Sequence, residues 1–192
     1  MKYLFLFCAL WLSIDVLAQQ WTKQYDMVDE CSCGLALVTK DGKHGFVTKE
    51  GKLVIPLVYE DALHFNEGVA AVKKDGKWGY LDTTGKEVVA MLYDDANTFA
   101  EGLGVVLKGG KHGFVDATGK VVIPFNFESA SSFSEGLAAV SRNGLWGFID
   151  KTGKEIIPCK YGFAGSFSDG VAKVMKESKW YSIDKTGKKV EE

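Results

Sequence analysis

The chain has 192 residues, a formal net charge of -2 and 46% hydrophobic residues. That length and balance suit one or two globular domains and provide neither a basic face for nucleic acid nor a block of like charge. Its 22 glycines stand against 3 prolines, and because the glycines are periodic they mark turns and close approaches rather than a disordered linker.

Lys2 precedes an apolar run from Tyr3 to Leu12, and Val16-Leu17-Ala18 is a small-residue cleavage pattern before Gln19. Residues 1–18 therefore read as a secretory signal peptide, too short to span a bilayer. Cys8 lies too early for a lipoprotein site and lacks its flanking residues. The remaining domain, 19–192, is expected to be secreted or periplasmic, with no membrane insertion after cleavage. Three cysteines stay with it: Cys31, Cys33 and Cys159. Export permits a disulfide, either Cys31–Cys33 or Cys33–Cys159, and the odd count leaves one thiol over. Cys31 alternatively fills a small core slot, at the phase that Phe65, Phe99, Phe133 and Phe167 take in later copies. The cysteines supply too few ligands for a metal site.

From Leu35 the chain repeats. Gly45, Gly79, Gly113 and Gly147 stand 34 residues apart, inside Lys77-Trp78-Gly79-Tyr80-Leu81-Asp82 and its copies. The units run over about 35–68, 69–102, 103–136 and 137–170, with a truncated copy at 171–192. An exact period means an array of like units. Within a unit, Leu137 to Val140, Trp146 to Asp150 and Glu155 to Pro158 are short β-prone runs. Asp41-Gly42, Asp75-Gly76, Gly109-Gly110 and Asn143-Gly144 separate the first two runs and predict type I′ hairpins. Glu177-Ser178 has lost that signal. Thr84-Gly85, Thr118-Gly119, Thr152-Gly153 and Thr186-Gly187 predict a second turn, capped by Asp82, Asp116, Asp150 and Asp184. The expected unit is three antiparallel strands, and the array is all-β.

Glycine in a strand interior needs a reason, and Gly45, Gly79, Gly113 and Gly147 predict close approach of a ring or a neighbouring strand. Pro56, Pro124 and Pro158 mark an edge. Gly102-Leu103-Gly104 reads as a repeat turn plus one incidental glycine, not a phosphate loop. His44 and His112 take the tryptophan phase and read as packing substitutes. Glu67, Glu101, Glu135 and Asp169 recur before glycine, and a carboxylate that recurs in every unit reads as structural.

The residues 76–82 (Gly-Lys-Trp-Gly-Tyr-Leu-Asp), 84–87 (Thr-Gly-Lys-Glu), 156–158 (Ile-Ile-Pro) and 133–138 (Phe-Ser-Glu-Gly-Leu-Ala) resemble the bacterial WG-repeat family, over essentially the whole chain from Tyr25 to Val190. The resemblance implies no common activity and no catalytic residues. Five units fit either a propeller-like ring or an open curved stack, with a lean to the open stack. The expected function is an exported, non-enzymatic module that binds or scaffolds a protein or another cell-envelope ligand, without a cofactor. The alternative is a carbohydrate or cell-wall binder that stacks sugars on Trp78, Trp146 and Trp180. A hydrolase with its site in one repeat ranks third.

Overall fold

Asn-Gly, Asp-Gly and Gly-Gly pairs accept the positive φ that a tight hairpin needs at both central residues, and the chain turns where they stand. Asp41, Asp75, Gly109 and Asn143 have φ of 51°, 51°, 60° and 53°, and the glycine after each is positive too. Glu177 and Ser178 hold the same conformation, at 51° and 62°, with no glycine to ease it. The computed structural model describes residues 21–190, and these hairpins build five antiparallel sheets in it. The signal-peptide reading falls outside the described residues.

The fourth unit shows the pattern. A leading strand of two residues, Ser129–Ala130, pairs with Leu137–Arg142, which pairs with Leu145–Asp150, which pairs with Glu155–Tyr161. The other sheets follow the same order over 27–59, 61–93, 95–127 and 163–190. The three-stranded unit is thereby corrected to four strands. The leading strand escaped notice because two residues carry no alternation; backbone bonds such as Ser131 N–H to Ala139 O, 2.9 Å, hold it. In the first unit it is longer, Met27–Ser32, with a bulge between Val28 and Cys31. Positions 35, 69, 103, 137 and 171 begin the second strand of each sheet.

The mid-strand glycines face backbone. A Cβ on Gly147 would lie 2.5 Å from Ile157 O, 2.6 Å from Cys159 N and 2.7 Å from Pro158 C, where the ladder to the last strand slips register. Gly45 meets Ile55 O and Pro56 in the same way. The close approach is therefore made by the last strand of the unit itself. That strand is a sheet edge, and Pro56, Pro124 and Pro158 sit on it, where the missing N–H breaks no ladder and discourages further pairing.

Units stack through apolar faces. Leu35, Leu37, Phe46, Ile55 and Tyr59 of the first unit pack on Ala70, Val72 and Leu81 of the second. The same contact joins Leu137, Phe148, Ile157 and Tyr161 to Ala172, Val174 and Ile183. A carboxylate ladder runs beside it. Glu67 accepts from the N–H groups of Glu101 (2.7 Å) and Gly102 (2.8 Å), Glu101 from Gly136 (3.1 Å), and Glu135 from Gly170 (3.0 Å). The ladder does not close: among the described residues the Asp169 carboxylate meets only the hydroxyl of Ser168 in its own unit, at 3.4 Å. Of the two expected arrangements the array is the open one.

The first and fifth units depart from the repeat. Ile55, Val89, Ile123 and Ile157 cover Gly85, Gly119, Gly153 and Gly187 of the following unit, and Trp21, one period earlier, covers Gly51. Trp21 and Tyr25 also pack on Ala36, Val38 and Val47. In the fifth unit Lys173 stands where Leu37, Ala71, Val105 and Ala139 do, and Ser182 where Phe46, Tyr80, Phe114 and Phe148 do. Polar residues at these two positions leave the outer face of the fifth unit unlike the apolar faces that stack within the array.

Two expectations are corrected. Cys31 is exposed rather than a core residue, because no sheet precedes its slot among the described residues; it lines an open depression with Asp29, Glu30, Ser32 and His64. Cys33 is also exposed, Cys159 is half-buried with Sγ 3.8 Å from Val140 O, and all three thiols are free in the structure. Gly104, in turn, is not incidental. Its phase holds Ala36, Ala70, Ala138 and Ala172 in the other units. Here the facing ring is Tyr80, not phenylalanine, and a Cβ on Gly104 would fall 2.7 Å from its hydroxyl.

Candidate functional site

The hairpin turns of the first four units are each closed by a carboxylate. Asp26, Glu60, Asp94 and Glu128 accept from the turn N–H groups of Asp41 (2.7 Å), Gly76 (3.2 Å), Gly109 (2.8 Å) and Gly144 (2.8 Å). A lysine of the preceding unit joins some of them: Lys77 reaches Asp94 at 2.6 Å and Lys111 reaches Glu128 at 3.9 Å. Such half-exposed ion pairs add little stability, but they keep the seam between units polar. The Lys77 ammonium, and after it the Gly109 N–H, hold Asp94 below the usual carboxylate range.

Between the fourth and fifth units this seam changes character. Leu145 takes the lysine phase, Gly162 the carboxylate phase, and Phe163 the place of Asp61, Asp95 and Ser129. Phe163 is opposite Met175 in the ladder, and Met175 is opposite Trp180, so the three share one face. Trp146 of the fourth unit packs against Phe163 with centroids 6.1 Å apart and planes at 46°; Trp180 lies on the other side at 5.4 Å and 59°. Leu145, Phe163 and Trp180 are 42%, 44% and 57% exposed. The fifth unit thus has a polar outer face at Lys173 and Ser182 yet an apolar row at its turn. Exposed apolar surface of this kind marks an interaction site when it is contiguous.

Of the three tryptophans singled out in the sequence, two meet here. Trp146 is half-buried and Trp180 is open, while Trp78 is 7% exposed and belongs to the core with Tyr93 and Ala96. Phe163 went unrecognised, although aligning the units by phase sets it against two aspartates and a serine. At the same tryptophan phase, His112 Nδ1 lies 3.1 Å from Glu128 O and His44 is half-buried, so both occupy the packing slot.

The remaining recurrent polar groups are spent on the backbone. Asp82 Oδ1 receives the Thr84 hydroxyl at 2.6 Å and the N–H groups of Thr84 and Lys86 at 2.9 and 3.0 Å, and the hydroxyl leads in holding this carboxyl below its ordinary value. Asp116, Asp150 and Asp184 are held down the same way by Thr118, Thr152 and Thr186. Burial works to raise Glu101, but Lys151 at 3.0 Å and the Gly136 N–H outweigh it and leave the carboxyl lowered. Among the described residues no group of three or more His, Cys, Asp or Glu gathers to hold a metal ion, and no helix is long and apolar enough to cross a membrane.

A model of the WG containing repeat matches residues 45–78, 78–111, 113–146 and 146–180. No curated protein matches the chain in sequence. Among solved structures it is similar to Kluyveromyces lactis Hsv2, with a TM-score of 0.54 and 8% identity over 84% of this chain and 61% of that one. It is similar to a eukaryotic initiation factor, with a TM-score of 0.53 and 11% identity over 86% of this chain and 56% of that one. It also matches the extracellular domain of BT4673 from B. thetaiotaomicron, with a TM-score of 0.48 and 14% identity over 86% of this chain and 28% of that one. The chain spans little more than half the length of the first two, and the likeness is one of fold.

Proposed function

Because this chain belongs to the WG containing repeat family, in which the repeat itself sets the scaffold, we propose that its function lies at the seam between its fourth and fifth units, where it departs from its own repeat. It is an exported, non-enzymatic binding or scaffold module that docks a partner protein there. The observation that carries this reading is the joint replacement of an ionic seam by Leu145, Gly162 and Phe163 next to Trp146 and Trp180. Clustered aromatic side chains are the usual energetic centre of a protein interface. Export rests on Lys2, the apolar run after it and the cleavage pattern at Val16-Leu17-Ala18.

The sugar-binding alternative needs open ring faces in a row. Trp78 is in the core, Trp146 is covered by Phe163, and the tilted rings turn their faces on one another. Those features favour a protein ligand over a polysaccharide. The carboxylates that a hydrolase would draw on, Glu67, Glu101 and Glu135, are engaged with backbone N–H groups of the next unit.

The test restores the repeat. A Leu145→Lys, Gly162→Glu, Phe163→Asp variant copies the residues of earlier units. Gly162 has room, since a Cβ there meets only the flexible end of Met175 at 3.2 Å and Met175 O at 3.7 Å. Immobilised wild-type chain should retain a defined set of cell-envelope proteins that the restored variant, equally folded, does not. Identical captures by the two would overturn the proposal.

A further inference from the structure

The seam also carries a specific polar feature. In four units the hairpin-turn N–H is satisfied by a carboxylate from the chain itself, always from the residue just ahead of the leading strand. One period on, the turn residues are Glu177, at the phase of Asp41 and Gly109, and Ser178, at the phase of Gly76 and Gly144, and the carboxylate position is Gly162. Gly162 has no side chain to offer, and the Ser178 N–H has no acceptor among the described residues. The turn keeps the geometry of its sisters, with Glu177 and Ser178 at positive φ. Lys176 and Lys179 stand opposite each other at its base, and no carboxylate pairs with either among the described residues. An oriented N–H therefore stands at the place where every other unit puts a carboxylate, with Lys176 at the phase from which Lys108 acts on Asp94. The row of Phe163, Met175 and Trp180 begins immediately beside it.

Resting on the docking reading above, we infer that this seam binds an acidic peptide segment of the partner. A partner aspartate or glutamate takes the position left open by Gly162 and accepts from the Ser178 N–H beside Lys176. An apolar residue beside it on the partner lies on Phe163 and Trp180. The four internal carboxylates show that this turn accepts such a group at 2.7–3.2 Å. Bonds from a charged acceptor to backbone N–H and ammonium groups are the strong class, and the flanking rings keep water away from them.

The probe is a fluorescent ten-residue peptide of glutamate, aspartate, leucine and tryptophan, read by anisotropy against the full chain. Two controls carry the same sequence with the acids changed to their amides or to lysine. The acidic peptide should bind at least about tenfold more tightly than the amide control, as the loss of one charge-assisted contact implies. Added salt should weaken it. Gly162→Glu supplies an internal carboxylate, so it should lose the same factor while melting at or above the wild-type temperature. Lys176→Glu should lose it as well. Equal binding of acidic and amide peptides, or unchanged binding by Gly162→Glu, would overturn the inference. If those results came with loss of binding in Trp180→Ala, the docking seam would stand and only its acidic preference would fall. If no peptide bound, and the restored-seam variant captured the same envelope proteins as wild type, both would fall.

Discussion

Tyr80 and Gly104 give the sharpest test of how the units fit together. Tyr80 is fully buried, and its hydroxyl donates to Asn97 O at 2.6 Å. Phe46, Phe114 and Phe148 occupy its phase elsewhere, each facing an alanine of the next unit rather than a glycine. Consider Gly104→Ala. The new Cβ would sit 2.5 Å from Phe99 Cε2 and 2.7 Å from the Tyr80 oxygen. Carbon contacts settle near ~3.5–4.0 Å, so an ångström or so must be found between two buried rings. Overpacking on that scale costs about 1–3 kcal/mol. Tyr80→Phe alone removes one buried hydrogen bond, about 1 kcal/mol. Independent effects would sum to about 2–4 kcal/mol. The double variant instead recreates the phenylalanine–alanine pair of the sister units, so it should lose no more than about 1 kcal/mol, a coupling of about 1–3 kcal/mol. Urea unfolding of the four proteins of the cycle, followed by far-ultraviolet circular dichroism, measures this directly. Additivity within about 0.5 kcal/mol would refute the pairing.

Further outcomes follow from the same geometry. Gly147→Ala drives a Cβ into three backbone atoms of the last strand and should destabilise by about 2–4 kcal/mol, whereas Gly162→Ala, which meets only Met175, should stay within about 0.5 kcal/mol; chemical denaturation compares them. Glu177→Asn with Ser178→Gly relieves two positive-φ side chains and should raise stability by about 1–2 kcal/mol, read as a higher urea midpoint with an unchanged slope. The aspartate caps carry a pH signature. Their folded pKa values lie below the unfolded value near ~3.9, so their contribution is full above that pH and is lost as pH falls through the depressed values. Thermal melts should therefore drop below about pH 4, and Asp150→Asn should make the drop shallower. A melting temperature that rose on acidification would contradict the caps.

The sequence showed most of the scaffold because the repeat shows each device several times. Asn143-Gly144 and its sisters predicted the hairpins, Asp82 and Thr84 the second turn, and Gly147 the close approach. The leading strand was hidden for a physical reason: Ser129–Ala130 is two residues long, so the single recurrent alanine that packs in the core shows no strand alternation. Cys31 misled because phase predicts a slot but not whether a neighbouring unit fills it. Trp78 and Trp180 misled in the same manner, since one phase is core in the second unit and surface in the fifth. The seam was legible only by subtraction. Phe163, Gly162 and Leu145 carry no motif, and they stand out once each is compared with the residues one, two and three periods before it.

Docking at the seam is tested most directly by side-chain footprinting of the chain alone and with captured partner. Leu145, Phe163 and Trp180 are open to hydroxyl-radical labelling in the free chain, and so are Met27, Leu53 and Leu92 elsewhere on the array. Partner binding should protect the first three by severalfold and leave the other three unchanged. Protection at Met27, Leu53 or Leu92 with full labelling of Trp180 and Phe163 would place the interface elsewhere and contradict it.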